Sequence, residues 1–95
     1  MKVVVTYDID TSHTDGRKRL TRIAAKCMDR GVRVQNSVFE CELNAAQLRE
    51  LQEELEALLD PESDRIRLYN LGNSWEGRCI CLGRRSELQT DTFIL

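Results

Sequence analysis

The amino-acid sequence predicts an α+β domain of the ferredoxin-like βαββαβ type, in which two helices cover one face of an antiparallel sheet. Three observations predict this fold. The chain begins with a run of β-branched residues, Val3–Val5, which suits a buried strand. Two later segments, 15–30 and 45–59, place apolar residues at helical spacing. The segments between and after them are rich in β-forming residues.

The first part of the chain predicts a strand, a loop and a helix. Residues 2–8 form the predicted strand, and the loop TSHTDG after it is rich in turn-forming residues. In the helix, apolar residues recur at i, i+3, i+4, i+7 and i+8, the pattern of one helical face. These residues are Leu20, Ile23, Ala24, Cys27 and Met28. Gly31 follows the last turn, where a glycine commonly ends a helix.

The middle of the chain predicts two strands and a second helix. VRVQNSVFECEL, residues 32–43, is rich in β-forming residues and has a turn or bulge near Asn36. Asn44 and Gln47 have the spacing of a capping pair. A leucine stripe over 48–59 follows them and predicts an amphipathic helix.

The last part of the chain predicts one further strand and then a shorter one. Asp60-Pro61 ends the second helix, because a proline disfavours helical backbone in the residue before it. RIRLYNL, residues 65–71, alternates in polarity as a strand does. GNSWEG is a predicted turn, and RCICLG is a predicted short fifth strand.

Length and composition limit the class of protein. A chain of 95 residues with 41% apolar and 32% charged residues is expected to be a globular protein with one domain, 1–95. No stretch approaches the roughly 20 apolar residues of a membrane span, and Met1 leads directly into strand-like sequence. We therefore expect a cytoplasmic protein whose four cysteines are reduced thiols.

Charge is distributed unevenly along a chain whose net charge is −2. Residues 17–33 carry seven basic residues and one acid, whereas residues 44–62 carry six acids and one arginine. Helical spacing puts most of the basic residues opposite the apolar stripe of the first helix. One interpretation is a surface that contacts phosphates, and the other is a solvated helix face. The sequence alone leaves both interpretations open.

The predicted layers leave one face of the sheet without helices. A second copy is the simplest cover for such a face in a small protein, so we expect a two-fold homodimer. The core is predicted over about 1–77, and the strand and tail over 78–95 are expected to pack on the partner subunit. The tail ends in the apolar residues Phe93, Ile94 and Leu95.

Two aspartates at the end of the first strand are candidate metal ligands. A carboxylate at the end of a buried strand needs solvent, a partner or a ligand. Asp8 and Asp10 have the i, i+2 spacing that puts strand residues on one face. Mg²⁺ is typically held by one or two carboxylates together with waters and a substrate phosphate. The alternative is a solvated strand end with Asp10 in a turn, and the spacing by itself favours this alternative.

Other candidate residues are expected to be structural. His13, the single histidine, lies in a polar loop, whereas a general base needs a fixed position. Cys79 and Cys81 have no second pair of zinc ligands, so both are predicted to be core thiols. Trp75 and Tyr69 could stack on bases, but each is isolated, and packing or a dimer contact is predicted for both.

Four segments match, in order and in spacing, the motifs of one known family. They are YDI (Tyr7–Ile9), KRLTRIAAKC (Lys18–Cys27), RVQNSVFEC (Arg33–Cys41) and RIRLYNLGN (Arg65–Asn73). Together they resemble the Cas2 family of CRISPR-associated proteins, over about residues 2–82. RVQNSVFEC is the most diagnostic, and the loop TSHTDG with the ending RLYNLGN resembles members that accompany type I-C systems.

The resemblance implies a fold, partners and an activity. It implies a ferredoxin-like homodimer whose C-terminal strand joins the partner's sheet. It also implies that the protein pairs with the CRISPR integrase, Cas1, and holds foreign duplex DNA during insertion as a new spacer. Many members have been assigned metal-dependent endonuclease activity, on single-stranded RNA in some and double-stranded DNA in others. Mg²⁺ or Mn²⁺ is therefore the implied cofactor, and a DNA-binding scaffold without catalysis is the alternative.

The resemblance also implies site residues. The family's metal-binding aspartate corresponds to Asp8, and Tyr7 precedes it as in the family; both are implied to be catalytic. Asp10 is not a general feature of the family. Four basic residues are implied to contact nucleic acid: Lys18, Arg19, Arg22 and Arg33. Phe39 is implied to pack in the cleft.

One aspartate per subunit makes a poor metal site. A two-fold axis beside the strand end would bring Asp8 and its twin together, and a bound cation would relieve the repulsion between the two carboxylates. No histidine is then required, because the metal itself can activate water.

Overall fold

The structure is a computed structural model that describes residues 1–83, with four strands and two α-helices in this range. In chain order the elements are β1 (Lys2–Asp8), α1 (Thr14–Met28), β2 (Gly31–Gln35), β3 (Val38–Glu42), α2 (Ala45–Leu58), β4 (Arg65–Gly72) and a 3₁₀ helix (Trp75–Arg78). The sheet has the order β2-β3-β1-β4, and each neighbouring pair is antiparallel. The predicted ferredoxin-like α+β fold is confirmed. Neither helix within 1–83 has the length and apolar character that crossing a membrane requires.

The hydrophobic core lies between the two helices and one face of the sheet. Alternation along β1 turns Val3, Val5 and Tyr7 towards this core and Val4 and Thr6 away from it. The predicted helical stripes supply the other side of the core. Their buried members are Ile23, Ala24, Cys27, Leu51 and Leu55.

The start of α2 has the predicted capping pair. The backbone N–H of Gln47 donates to Oδ1 of Asn44 at 2.8 Å, and the backbone N–H of Asn44 donates to Oε1 of Gln47 at 2.9 Å. Both otherwise unpaired donors are thereby satisfied, which fixes the first turn of the helix. The helix ends at Leu58, before Asp60-Pro61 as predicted.

Gly31 does not end helix α1, so this prediction is wrong. The helix ends at Met28, and Asp29 caps it with ordinary right-handed backbone, φ −68°. Gly31 is instead the first residue of β2. A Cβ at this position would press on the carbonyl oxygen of Glu40 and lie 2.5 Å from Sγ of Cys41. Glycine is required there because β2 and β3 approach closely.

We expect Gly31→Ala to lower the free energy of unfolding by roughly 1–3 kcal/mol, since the β3 backbone must move to admit the methyl group. Urea unfolding followed by circular dichroism measures the change. Gly77→Ala is the matched control, because a Cβ at Gly77 meets nothing within 4 Å. Equal unfolding midpoints for the two variants would show that the close approach is not rigid.

The face of the sheet opposite the α-helices, called here the open face, carries apolar residues that the described chain leaves exposed. Val32 and Tyr69 lie on it and are 50% and 45% exposed. Trp75 of the 3₁₀ helix lies against one end of this face, with Nζ of Lys2 4.4 Å from the ring centroid. Neither α-helix within residues 1–83 packs on this face, which agrees with the predicted layers.

The predicted fifth strand is not present in the single chain. Its first residue, Arg78, ends the 3₁₀ helix, and residues 79–83 pair with no strand of the described chain. Ile80 and Leu82 are consequently 83% and 79% exposed. A strand needs a neighbour to satisfy its backbone groups, and this segment has none within residues 1–83. The tail over 84–95, predicted to cross to the partner, lies outside the described residues.

Candidate functional site

Asp8 occupies the exposed end of β1. The strand register sets it opposite Arg65, the first residue of β4. Side chains of directly opposed residues share a face, and alternation from the buried Tyr7 places Asp8 on the open face. Asp8 therefore presents its carboxylate on the side of the sheet that neither α-helix covers.

The described residues offer few ligands for a metal near Asp8. No group of three or more His, Cys, Asp or Glu side chains within 1–83 could hold a metal ion. Asp8 thus offers one carboxylate per chain. Mg²⁺ is commonly held by one or two carboxylates plus waters and a substrate phosphate. Asp8 would supply one of the two carboxylates of such a site. A second chain would have to supply the other carboxylate.

Asp10 closes a turn. Its Oδ1 accepts hydrogen bonds from the backbone N–H of Ser12 at 3.0 Å and from Oγ of Ser12 at 2.7 Å. These hydrogen bonds lower the pKa of the Asp10 carboxyl. Asn, Asp and Ser side chains typically close turns in this way. The predicted turn at Asp10 is confirmed, and the Asp10 carboxylate is engaged within it.

Tyr7 lies on the opposite face of the sheet from Asp8. Its side chain is buried, and its hydroxyl donates to the carbonyl oxygen of Asn36 at 3.1 Å. Burial raises the pKa of Tyr7, although a hydrogen bond with Arg33 acts in the opposite direction. The geometry supports a packing role for Tyr7 rather than the catalytic role that the resemblance implies.

Phe39 and Arg33 join Tyr7 on the side of the sheet that faces the helices. The ring centroids of Tyr7 and Phe39 are 6.1 Å apart, and Cζ of Arg33 lies 5.1 Å from the Phe39 centroid. Phe39 is fully buried, whereas Arg33 is exposed. A guanidinium over an aromatic ring is a favourable contact. The structure therefore brings these three implied site residues together, but separates them from Asp8.

Arg19 is held by a buried aspartate that sequence reasoning missed. Nε and Nη2 of Arg19 donate to Oδ2 and Oδ1 of Asp64 at 2.7 and 3.2 Å, and no part of the Asp64 side chain is exposed. Burial by itself would raise the pKa of Asp64. Hydrogen bonds from Arg19 and from the backbone N–H groups of Asp60 and Asp10 outweigh it, so the pKa is lowered. In the single chain Arg19 is thus engaged in an internal ion pair, and its implied contact with nucleic acid stays a prediction.

Acidic side chains of helix α2 form ion pairs with two more residues of the basic segment 17–33. Nζ of Lys26 lies 3.9 Å from Glu54, and the Arg30 guanidinium lies 3.4 Å from Glu50 and 3.3 Å from Glu54. The acids that pair with Lys26 and Arg30 thus come from the neighbouring helix. Three exposed cations of α1 have no ion-pair partner among residues 1–83. We call them the basic surface: Arg17, Lys18 and Arg22.

The histidine and the cysteines take no part in this arrangement. His13 is exposed and precedes α1 as its N-cap residue, without a side-chain capping bond. Cys27 and Cys41 are buried as predicted, and burial raises the pKa of Cys27 to about 12. The prediction that Cys79 and Cys81 are core thiols is wrong. Cys79 is half-buried and Cys81 exposed, 3.9 Å apart at sulfur, because the strand that would bury them is not formed.

Comparisons with known proteins agree on one family. The family model described as "CRISPR associated protein Cas2" matches residues 1–79. The "CRISPR-associated endonuclease Cas2" of Halalkalibacterium halodurans is 42% identical over 91 residues, which cover 96% of this chain and 95% of that protein. The "CRISPR-associated endoribonuclease Cas2" of Chlorobaculum tepidum is 49% identical over 78 residues, covering 82% and 81%. The crystal structure of Streptococcus pyogenes Cas2 at pH 6.5 aligns with a TM-score of 0.76 and 46% identity, covering 87% of this chain and all of that one.

Proposed function

The chain belongs to the Cas2 family of CRISPR-associated proteins, and from that premise we propose that it is a homodimeric CRISPR adaptation subunit with metal-dependent endonuclease activity. In this proposal it binds nucleic acid, bridges the integrase Cas1 during spacer acquisition, and hydrolyses phosphodiester bonds of single-stranded RNA or duplex DNA. The observation that carries the activity is the exposed carboxylate of Asp8 on the open face. Only a face open to a second copy allows two such carboxylates to share one cation.

The proposed dimer is supported by the surfaces that the single chain leaves uncovered. Val32 and Tyr69 are half exposed on the open face, and Ile80 and Leu82 are almost fully exposed beyond it. Strand β4 lies at an edge of the sheet, so one side of its backbone is available to a further strand. Residues 79–82 of the partner would supply that strand. A domain-swapped sheet would then bury the apolar residues that a monomer exposes.

The proposed chemistry assigns a simple role to each charged side chain near the strand end. Asp8 of each chain would hold Mg²⁺ or Mn²⁺, which when bound activates water and offsets charge on the phosphate. Arg65 lies opposite Asp8, and Arg67 lies opposite Thr6 on the same face; both arginines are exposed. Guanidinium groups bind phosphate oxygens well. Arg65 and Arg67 are therefore proposed to contact the phosphates next to the metal.

We expect Arg22→Glu to weaken duplex DNA binding and to reduce the slope of log affinity against log salt by about one or more. The reason is that Arg22 belongs to the basic surface. Arg19→Glu is expected to act differently: it would place a second carboxylate against the buried Asp64 carboxylate and lower the melting temperature. Fluorescence anisotropy over a salt series, together with thermal melting, separates the two effects.

Arg49→Glu is the matched control for this prediction, because Arg49 is an exposed arginine on the acidic helix α2. Arg49→Glu makes the same charge change as Arg22→Glu, but on an acidic surface instead of the basic surface. If Arg22→Glu and Arg49→Glu bind DNA alike, the basic surface is only a solvated helix face.

A scaffold without catalysis is the second candidate function. It is favoured by the single carboxylate per chain and by the lack of a three-ligand cluster within 1–83. The two functions are distinguished by incubating the purified protein with RNA and duplex DNA in Mg²⁺ or in EDTA. Cleavage in Mg²⁺ alone supports the nuclease, whereas DNA binding without cleavage in either condition supports the scaffold.

A further inference from the structure

We propose that Asp64 is a positioning residue for Asp8. In this proposal the buried Asp64 carboxylate continues the pairing of β1 with β4 beyond its last backbone pair, and so holds the strand end that carries Asp8. The inference rests on the proposed function in treating Asp8 as a metal ligand. Its first test needs no metal.

The end of the β1–β4 ladder shows what Asp64 replaces. The last ladder pair is Asp8 with Arg65, so the next residues along would be Ile9 and Asp64. Backbone pairing stops there. Oδ1 of Asp64 instead accepts the backbone N–H of Asp10 at 3.0 Å. Asp8 thus belongs to the last ladder pair, and a side-chain hydrogen bond holds the chain two residues further along.

The Asp64 carboxylate also joins this strand end to two other segments. Its Oδ2 accepts the backbone N–H of Asp60 at 2.9 Å, in the connection between α2 and β4. The Arg19 guanidinium of α1 donates to both oxygens. A carboxylate has about four acceptor positions, and the four donors here use them while the side chain is completely buried.

A close packing contact with helix α1 also holds the chain at Asp10 and Thr11, just after β1. Gly16 of α1 is buried, and a Cβ there would press on the carbonyl oxygen of Asp10 and lie 3.2 Å from Cα of Thr11. The chain leaving β1 therefore lies directly on α1. Since Arg19 belongs to the same helix as the basic surface, the Asp64–Arg19 pair also fixes where Asp8 stands relative to the cations proposed to bind phosphates.

Three variants separate positioning from simple stabilisation. Asp64→Ala removes all four hydrogen bonds. Asp64→Asn keeps a carbonyl oxygen that can still accept the Asp10 N–H, and Arg19→Gln removes the ion pair but leaves that bond. Gly31→Ala is the control, because it is expected to destabilise the protein far from Asp8. Gly31 of β2 pairs with Cys41 of β3, and Cys41 pairs with Val3, near the start of β1.

The first readout is hydrogen exchange of the backbone amides over 8–12 in metal-free protein, well below the melting temperature. The second is the Mn²⁺ concentration that gives half of the maximal thermal shift. Asp64→Ala should raise exchange at Asp10 at least tenfold. It should also raise the half-saturating Mn²⁺ concentration by roughly 10-fold, the lower end of the loss when residues that orient metal ligands are removed. Asp64→Asn and Arg19→Gln should show smaller increases, and Gly31→Ala none.

Two results would overturn the proposal. One is an Asp64→Ala protein with a lowered melting temperature but wild-type exchange at Asp10. The other is the same half-saturating Mn²⁺ concentration in Asp64→Ala as in wild type. If Asp64→Ala does not fold, Asp64→Asn and Arg19→Gln give the same two readouts. If wild type itself shows no Mn²⁺-dependent shift, the proposed function fails, and exchange at Asp10 still decides whether Asp64 holds the strand end.

Discussion

Asp8→Asn is expected to lower metal-dependent cleavage on the order of 100-fold or more, given that the loss of mere outer-shell partners of a metal already costs 10–100-fold. Asparagine is nearly isosteric with aspartate, and Asp8 is exposed at the end of β1, so the fold and the dimer should be retained. The substitution removes one negative charge per chain and two per proposed dimer. Most of the attraction for Mg²⁺ is lost with them.

Thermal melting with and without metal gives an independent readout of the same substitution. Wild type should gain stability on addition of Mn²⁺, because a ligand that binds only the folded state stabilises it by mass action. Asp8→Asn should gain little. Without metal, the variant should be equally stable or slightly more stable than wild type if the twin carboxylates repel.

Asp10→Asn is the matched control, since its side-chain oxygen can still accept the hydrogen bonds from Ser12. Cleavage by Asp10→Asn should stay close to wild type on both RNA and duplex DNA. Cleavage by Asp8→Asn at the wild-type rate would show that the metal ligand lies elsewhere. If no variant cleaves but all of them support spacer integration, the scaffold function is correct.

Truncation after Gly77 is expected to abolish the dimer at micromolar concentration and to abolish metal-dependent cleavage with it. The truncation removes Ile80 and Leu82, which are 83% and 79% exposed in the single chain. Burying one Leu or Ile side chain stabilises by about 1.5–3 kcal/mol, and each dimer would lose four. It also removes the segment proposed to pair with β4 of the partner.

Sedimentation measures the effect of this truncation directly. A chain that ends at Gly83 is the control, because it keeps residues 79–82 and lacks only the tail. It should retain more of the dimer than the chain that ends at Gly77. A chain ending at Gly77 that sediments as a stable dimer would show that these residues are not part of the interface, and the open face would then have to pair without them.

The parts of the fold that the sequence predicted correctly are those determined by neighbours along the chain. The Val3–Val5 run, the two helical stripes and the Asn44–Gln47 capping pair are local patterns, and all are present. Gly31 was misread because its requirement is the closeness of β3, which no local pattern shows. The fifth strand was misread because a strand depends on a neighbour, and the single chain provides none within 1–83.

The candidate site was harder to predict for the same reason. Asp8 drew attention by its position at the end of a buried strand, and its role as a metal ligand stays a prediction. Arg19 and Asp64 are 45 residues apart, so their ion pair could not be read from spacing. Arg30, just after α1, pairs with acids of α2, which a charge count along the basic segment does not reveal. The position of Tyr7 could have been predicted, because adjacent residues of a strand point to opposite faces.

The sharing of one divalent cation by Asp8 of two chains is tested most directly by the stoichiometry of Mn²⁺ binding. Isothermal titration calorimetry of the dimeric protein should give one Mn²⁺ for every two chains, and the binding should disappear in Asp8→Asn. One Mn²⁺ per chain, or binding that Asp8→Asn leaves unchanged, would contradict a metal site shared across the two-fold axis.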